Sequence, residues 1–190
     1  MDDGGVSTPA PRSSYANGST ANMVRSLLVI GVIVAALIAI VPRVNSVSQP
    51  PVDVAGTSVE VARTSGWPID RPESLPDGWK ATSVRYVRST GGLMTWHAGY
   101  QSPTGNYVAI EQTKDATDEW VSAQTNRAAK TGEVQVAGTT WGTYVRSGKV
   151  QNSLVHRAES AAELTTIVTG TGSFDELTAF AETLRPVPTS

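Results

Sequence analysis

Few side chains in this sequence can do chemistry outright. There is no cysteine, and the two histidines are His97 and His156. The lack of thiols removes disulfides, thiolate catalysis, iron–sulfur clusters and cysteine zinc sites together. Two imidazoles cannot build a histidine-rich metal centre, so neither a metal site nor a cofactor is expected. Serine and threonine hydroxyls are plentiful, but a hydroxyl becomes a nucleophile only when a base takes its proton and a third group orients that base. Neither a G-x-S-x-G turn nor an S-x-x-K pair occurs to mark one. Thr169-Gly170-Thr171-Gly172 leads into a helix, where backbone N–H groups attract anions. It lacks the lysine of a phosphate loop and the spacing of a dinucleotide fingerprint, and reads as a glycine turn. The acid pairs Glu159 with Glu163 and Asp175 with Glu176 read as solvated carboxylates, and His156 as a half-buried strand residue. No catalytic residue is assigned.

What remains is chemistry suited to recognition, and it lies in a hairpin. LMTWHAGYQS (93–102) and YVAIEQTK (107–114) flank a turn. A three-residue loop, Thr104-Gly105-Asn106, predicts Tyr100 opposite Ile110 and Ala98 opposite Gln112. Met94, Trp96, Ala98, Tyr100, Val108 and Ile110 then share one face, and His97, Gly99, Gln101, Tyr107, Ala109 and Glu111 the other. The first face is core. The second is expected to meet solvent, with His97 and Glu111 as near diagonal neighbours. A titratable His and an amphipathic Tyr on a rigid strand suit recognition, which makes His97, Gln101, Tyr107 and Glu111 the candidate binding surface.

Other elements must hold that hairpin. Residues 80–89 alternate as a strand, with Val84 and Tyr86 on one face and Arg85 on the other. A helix is expected over 117–130: Asp118 and Glu119 lie in its first turn, Arg127 and Lys130 in its last, and Gly132 just beyond. Residues 133–147, 153–159 and 163–172 are rich in β-branched side chains and should be strands. The chain closes on a helix in which Ser173 and Glu176 make a capping box. Phe174, Leu177, Phe180 and Leu184 form its apolar stripe and Pro186 stops it. Short connections between strands imply antiparallel pairing. The expected fold class is α+β: an antiparallel sheet covered on one face by two helices, preceded by one transmembrane helix.

Residues 27–41 are fifteen apolar residues without a charge. A spanning helix needs about 20, a length reached over 23–44 with Arg25 and Arg43 at the interfaces. A cleaved signal peptide is the alternative, with Val44 and Ser46 as the small-residue positions before the cut. Residues 1–22 are polar and small and are expected as a disordered tail. Residues 45–66, with Pro50-Pro51, read as a linker, with a short strand or helix conceivable at 58–62. Residues 67–187 are the soluble α+β domain. The net charge of −2 comes with no basic stripe, which argues against nucleic acid. The expected partners are the membrane, through 23–44, and an envelope protein or small ligand.

LPDGWKATSVRY, WHAGYQSPTGNYVAIEQ, AGTTW and VTGTGSFDELTAFAETL together resemble the actinobacterial membrane-associated proteins grouped as domain of unknown function 4245. The pattern is Leu-Pro-x-Gly-Trp (Leu75, Pro76, Gly78, Trp79), then Trp-x-x-Gly-Tyr (Trp96, Gly99, Tyr100), then a closing Gly-rich strand and helix. The resemblance covers the membrane segment and nearly all of the soluble domain. It implies a single-pass protein of the cell membrane with its carboxyl-terminal domain outside the cytoplasm. None of its motifs is catalytic, so it carries no site residues across. Two classes of function stand. One is a non-catalytic binding or scaffold domain facing the envelope. The other is an extracytoplasmic enzyme, a hydrolase, whose polar residues the sequence does not group. A deep polar cleft with clustered titratable groups would favour the enzyme, and a shallow apolar groove would favour binding.

Overall fold

The computed structural model describes residues 15–40, 52–146, 148 and 150–189. Expectations for the tail over 1–14, and for 41–51 with Arg43 and Pro50-Pro51, lie outside the described residues. The chain divides into two units, residues 1–49 and 50–190. In the first, helix α1 runs Tyr15–Ile40, so the end of the expected irregular tail is helical. Its stretch Ala21–Ile38 is long and apolar enough to cross a membrane, and none of it is buried. At about 1.5 Å per residue it reaches roughly 27 Å, close to the hydrocarbon thickness of about 30 Å.

The second unit is α+β. Its main sheet has seven antiparallel strands in the order β2-β3-β4-β8-β7-β6-β5. These are β2 Lys80–Arg88, β3 Met94–Gln101, β4 Tyr107–Thr113, β5 Ala129–Val136, β6 Thr139–Val145, β7 Asn152–His156 and β8 Thr165–Gly170. A small ribbon pairs β1 Asp70–Pro72 with β9 Leu184–Pro186. In the β3–β4 hairpin Gln101 stands opposite Tyr107, so the connection is Ser102–Asn106 rather than three residues. Tyr100 therefore faces Val108 and Ala98 faces Ile110, two residues away from the expected register. Side chains alternate with period two, so this shift leaves both predicted faces intact. It does change neighbours: His97 stands directly opposite Glu111. The wider loop is closed by the Ser102 N–H donating to Asn106 O at 2.9 Å and is also tied to the last helix. Glu176 accepts hydrogen bonds from Thr104 Oγ1 at 3.1 Å and Asn106 Nδ2 at 2.8 Å.

One face of the sheet carries the main core, with Trp96, Tyr100, Ile110, Leu154 and Val168 fully buried. Two helices pack with it, α2 Val54–Ser65 and α4 Phe174–Glu182. Phe180 of α4 sits between Trp79 and Tyr100, with ring centroids 5.3 and 5.1 Å away. Leu177 and Phe180 are buried and Phe174 is partly so, as the apolar stripe predicted; Leu184, expected as its last member, lies beyond the helix in β9 and is partly buried there. Ser173 Oγ accepts the Glu176 N–H at 3.2 Å, one half of the expected capping box; the Glu176 carboxylate turns to Thr104 and Asn106 instead. The helix ends at Glu182, before Pro186, which pairs in the ribbon instead. The stretch expected as linker is corrected here: from Val54 it forms α2, capped by Asp53 and closed by the left-handed Gly66. Val54 and Val61 bury into the core, so the helix belongs to the folded domain. The short strand or helix allowed for at 58–62 falls inside it; the small residues around that stretch carry too weak a periodic signal to show its full length.

The opposite face is covered at one end only. Helix α3 is Asp118–Gln124, with Thr117 accepting the Trp120 N–H as cap. The helix expected to reach Lys130 stops early because Asn126 and Arg127 both adopt left-handed backbone, φ 54° and 58°. Lys130 stands in β5, opposite Tyr144. Trp120 and Val121 pack with Val155 and Ile167 in a second, smaller core. The Trp120 indole donates to Thr95 Oγ1 at 2.9 Å and Ser89 Oγ at 3.1 Å, which gives its buried N–H a partner.

Candidate functional site

Beyond the end of α3 the second face turns polar. His97 and Glu111 lie there side by side on β3 and β4, and neither is solvated: they are 3% and 7% exposed. This corrects the expectation of an open face. His97 Nδ1 meets Glu111 Oε1 at 2.5 Å. The other ring nitrogen, Nε2, lies 2.9 Å from Ser83 Oγ on β2 and 3.3 Å from the Tyr107 hydroxyl on β4. The Arg85 guanidinium approaches Glu111 Oε1 at 4.0 Å and is half exposed. Three adjacent strands thus align a hydroxyl, an imidazole and a carboxylate across the sheet. A bulge between Ala81 and Ser83 sets the phase of β2 that turns Ser83 and Arg85 to this face.

Gly99 makes room for the cluster. A Cβ built there would stand 2.5 Å from both Ser83 Oγ and the Tyr107 hydroxyl. Any side chain at that position would push the two hydroxyls off His97. The Tyr107 ring lies across this gap, and burial holds its phenol above the usual tyrosine range, so it stays protonated and can donate. Beside the cluster is a cleft of about 350 Å³, lined by Arg85, His97, Tyr107 and Glu111 on the sheet. Asn126 and Gln151 form part of its wall. Asn126 Nδ2 donates to Gln151 Oε1 at 2.6 Å, and Gln151 Nε2 donates to Thr169 Oγ1 at 2.9 Å. The left-handed turn that ends α3 is what brings Asn126 to this wall.

Of the four residues read from the sequence as a surface, the structure brings together His97, Tyr107 and Glu111. Gln101 faces the same side but sits exposed at the hairpin end, outside the cleft lining. Ser83, Arg85 and Gly99 were not in that set. The signal for Ser83 and Arg85 was their alternation on β2, which matters only once β2 is known to pair with β3 and to bulge at residue 82.

A second cleft, also about 350 Å³, opens among Asp70, Trp141, His156 and Glu163. Burial raises the Asp70 carboxyl above the ordinary range. Its bonds are already made internally, however: Gln112 Nε2 donates to it at 2.7 Å, and its own N–H donates to Gln112 Oε1 at 2.8 Å. The candidate site is therefore the cleft at His97. Among the described residues no group of three or more His, Asp or Glu is arranged to hold a metal ion.

The family pattern described as Protein of unknown function (DUF4245) matches residues 16–184. The chain belongs to this family. No curated protein and no solved structure matches it. The DUF4245 match spans both the apolar helix and the domain that holds the His97 cluster, and the family description assigns no chemistry to either.

Proposed function

We propose that this DUF4245 chain is a single-pass membrane protein whose carboxyl-terminal domain stands outside the cytoplasm and binds a small polar ligand. The observation that carries the binding reading is the cleft of about 350 Å³ beside the buried His97–Glu111 pair. Its size falls within the usual range of small-ligand sites, about 300–1,000 Å³. Convergent polar groups from six segments of chain line it: β2, β3, β4, the end of α3, the stretch before β7, and β8 with its exit. Exposed Ala21–Ile38 supports the membrane tether, and the resemblance to actinobacterial envelope proteins supports the orientation.

Two measurements test this reading. Carboxyl-terminal reporter fusions should give an active exported enzyme and an inactive cytoplasmic one; the reverse would overturn the topology. A mature amino terminus at Val47 would show a cleaved signal in place of the tether. For binding, the full chain in detergent is titrated with monosaccharides, amino acids and short acyl esters while the His97 and Tyr107 ring resonances are followed. A saturable shift at both rings is the expected result, and a panel that moves neither overturns binding at this cleft.

A further inference from the structure

The two nitrogens of His97 are engaged in a specific order. Nδ1 faces a carboxylate that is itself buried, and Nε2 faces a serine hydroxyl. This is the arrangement in which a base is held in one orientation and tautomer while its free nitrogen takes a proton from a nucleophile. The buried pair is rigid, because both partners sit on central strands of a seven-stranded sheet with directly opposed backbones. Ser83, by contrast, is only half-buried and stands on the edge strand. Two donors share its face of the sheet: the protonated Tyr107 phenol, 3.3 Å from His97 Nε2, and Arg85, two residues along the same strand and 4.0 Å from Glu111 Oε1.

We propose that Ser83 is the nucleophile of an acyl-transfer site acting on small carboxylic esters, with His97 as base, Glu111 as the group that orients it, and Tyr107 and Arg85 as stabilisers of the developing oxyanion. Ser83 is not itself part of the cleft lining; it borders the cleft through His97, which is, at 2.9 Å. The inference therefore rests on the cleft being the ligand site and on an ester in it extending past His97 to the edge strand. Ser83 Oγ attacks the ester carbonyl carbon, its proton passes to His97 Nε2, and the carbonyl electron pair moves onto oxygen. When the carbonyl re-forms, the C–O bond to the alcohol breaks and the alkoxide leaves with the proton from His97. Water then repeats the sequence: its proton goes to His97 Nε2, its oxygen bonds to the acyl carbon, and Ser83 departs with the proton. The products are an alcohol and a carboxylic acid, and the enzyme is regenerated. Glu111 and Gly99 act through others: the first orients His97, and the second keeps the space in which both hydroxyls reach it.

The test is a biotinylated fluorophosphonate on the full chain in detergent. Ser83 should displace fluoride from phosphorus, and peptide mass spectrometry of the wild-type chain should place the adduct on Ser83. Ser83→Ala should abolish labelling with an unchanged thermal melt. His97→Gln should slow labelling by at least about 100-fold, the lower range for general-base assistance. Gly99→Ala should also slow it, as a positioning residue, while the phosphonate still goes to Ser83. No adduct on the wild-type chain, or an adduct on another residue, overturns the proposal. Labelling unchanged in His97→Gln overturns it as well. If the ring resonances of the cleft respond to ligands but no adduct forms, the binding reading stands and the acyl-transfer reading falls. If neither is seen, both fall.

Discussion

Removing one partner of the His97–Glu111 pair should be costly, and removing both should be cheaper. The side chains are 4% and 9% exposed and touch at 2.5 Å. In His97→Leu the Glu111 carboxylate stays buried with Arg85, 4.0 Å away and half in solvent, as its nearest charged neighbour. A buried charge stripped of its partner costs about 3–5 kcal/mol. Glu111→Met leaves the His97 Nδ1 position unbonded, and a buried unsatisfied donor or acceptor costs about 1–3 kcal/mol. The double variant leaves neither group unpaired and replaces both by apolar residues, a change that is often near neutral. With the double variant near neutral, the expected coupling equals the sum of the two single losses, about 4–8 kcal/mol. Urea unfolding of the full chain in detergent, followed by tryptophan fluorescence and far-ultraviolet circular dichroism, gives the four free energies. Single variants within about 0.5 kcal/mol of wild type, as solvated surface changes behave, would show that this face is open to water and refute the burial argument.

Phe180→Ala removes a ring 1% exposed, stacked on Trp79 and tilted against Tyr100. The same unfolding assay should register a loss of about 3–5 kcal/mol. The Ser102 hydroxyl, with Asn106 and Thr104, holds the Glu176 carboxyl below its ordinary range. That stability is present above the unfolded carboxyl value of about 4.3 and is lost as pH falls through the lower folded value. Glu176→Gln should therefore lower the melting temperature at pH 7 and make little difference at pH 2. Asp70 has the opposite sign. Burial raises its carboxyl, so its favourable contribution is present below about pH 3.9 and is lost as pH rises through the folded value. Asp70→Asn, which can still accept from Gln112, should raise the melting temperature at pH 7 and leave it unchanged at pH 3.

The apolar run at 27–41, most of the main-sheet strands and the closing helix were legible from local pattern, because period-two and period-3.6 alternation records which side of an element is buried; the β1–β9 ribbon was not. The same alternation sorted Trp96, Ala98 and Tyr100 from His97, Gly99 and Gln101, and a two-residue error in register left that sorting intact. What a strand does not record is the neighbour across the sheet. That His97 meets Glu111 directly depends on a five-residue loop whose Thr104 and Asn106 bond Glu176, a residue of the last helix. That Ser83 reaches the same imidazole depends on β2 lying next to β3 with a bulge at residue 82. Nor could sequence spacing show that α3 would stop at Gln124, since the charges of Arg127 and Lys130 continue a helical pattern that two left-handed residues break. That early stop is a tertiary decision: it covers the apolar end of the second face and leaves the polar end as a cleft. Residue types and faces are properties of the local chain. The hydroxyl–imidazole–carboxylate alignment is a property of three strands meeting, and only the folded sheet creates it.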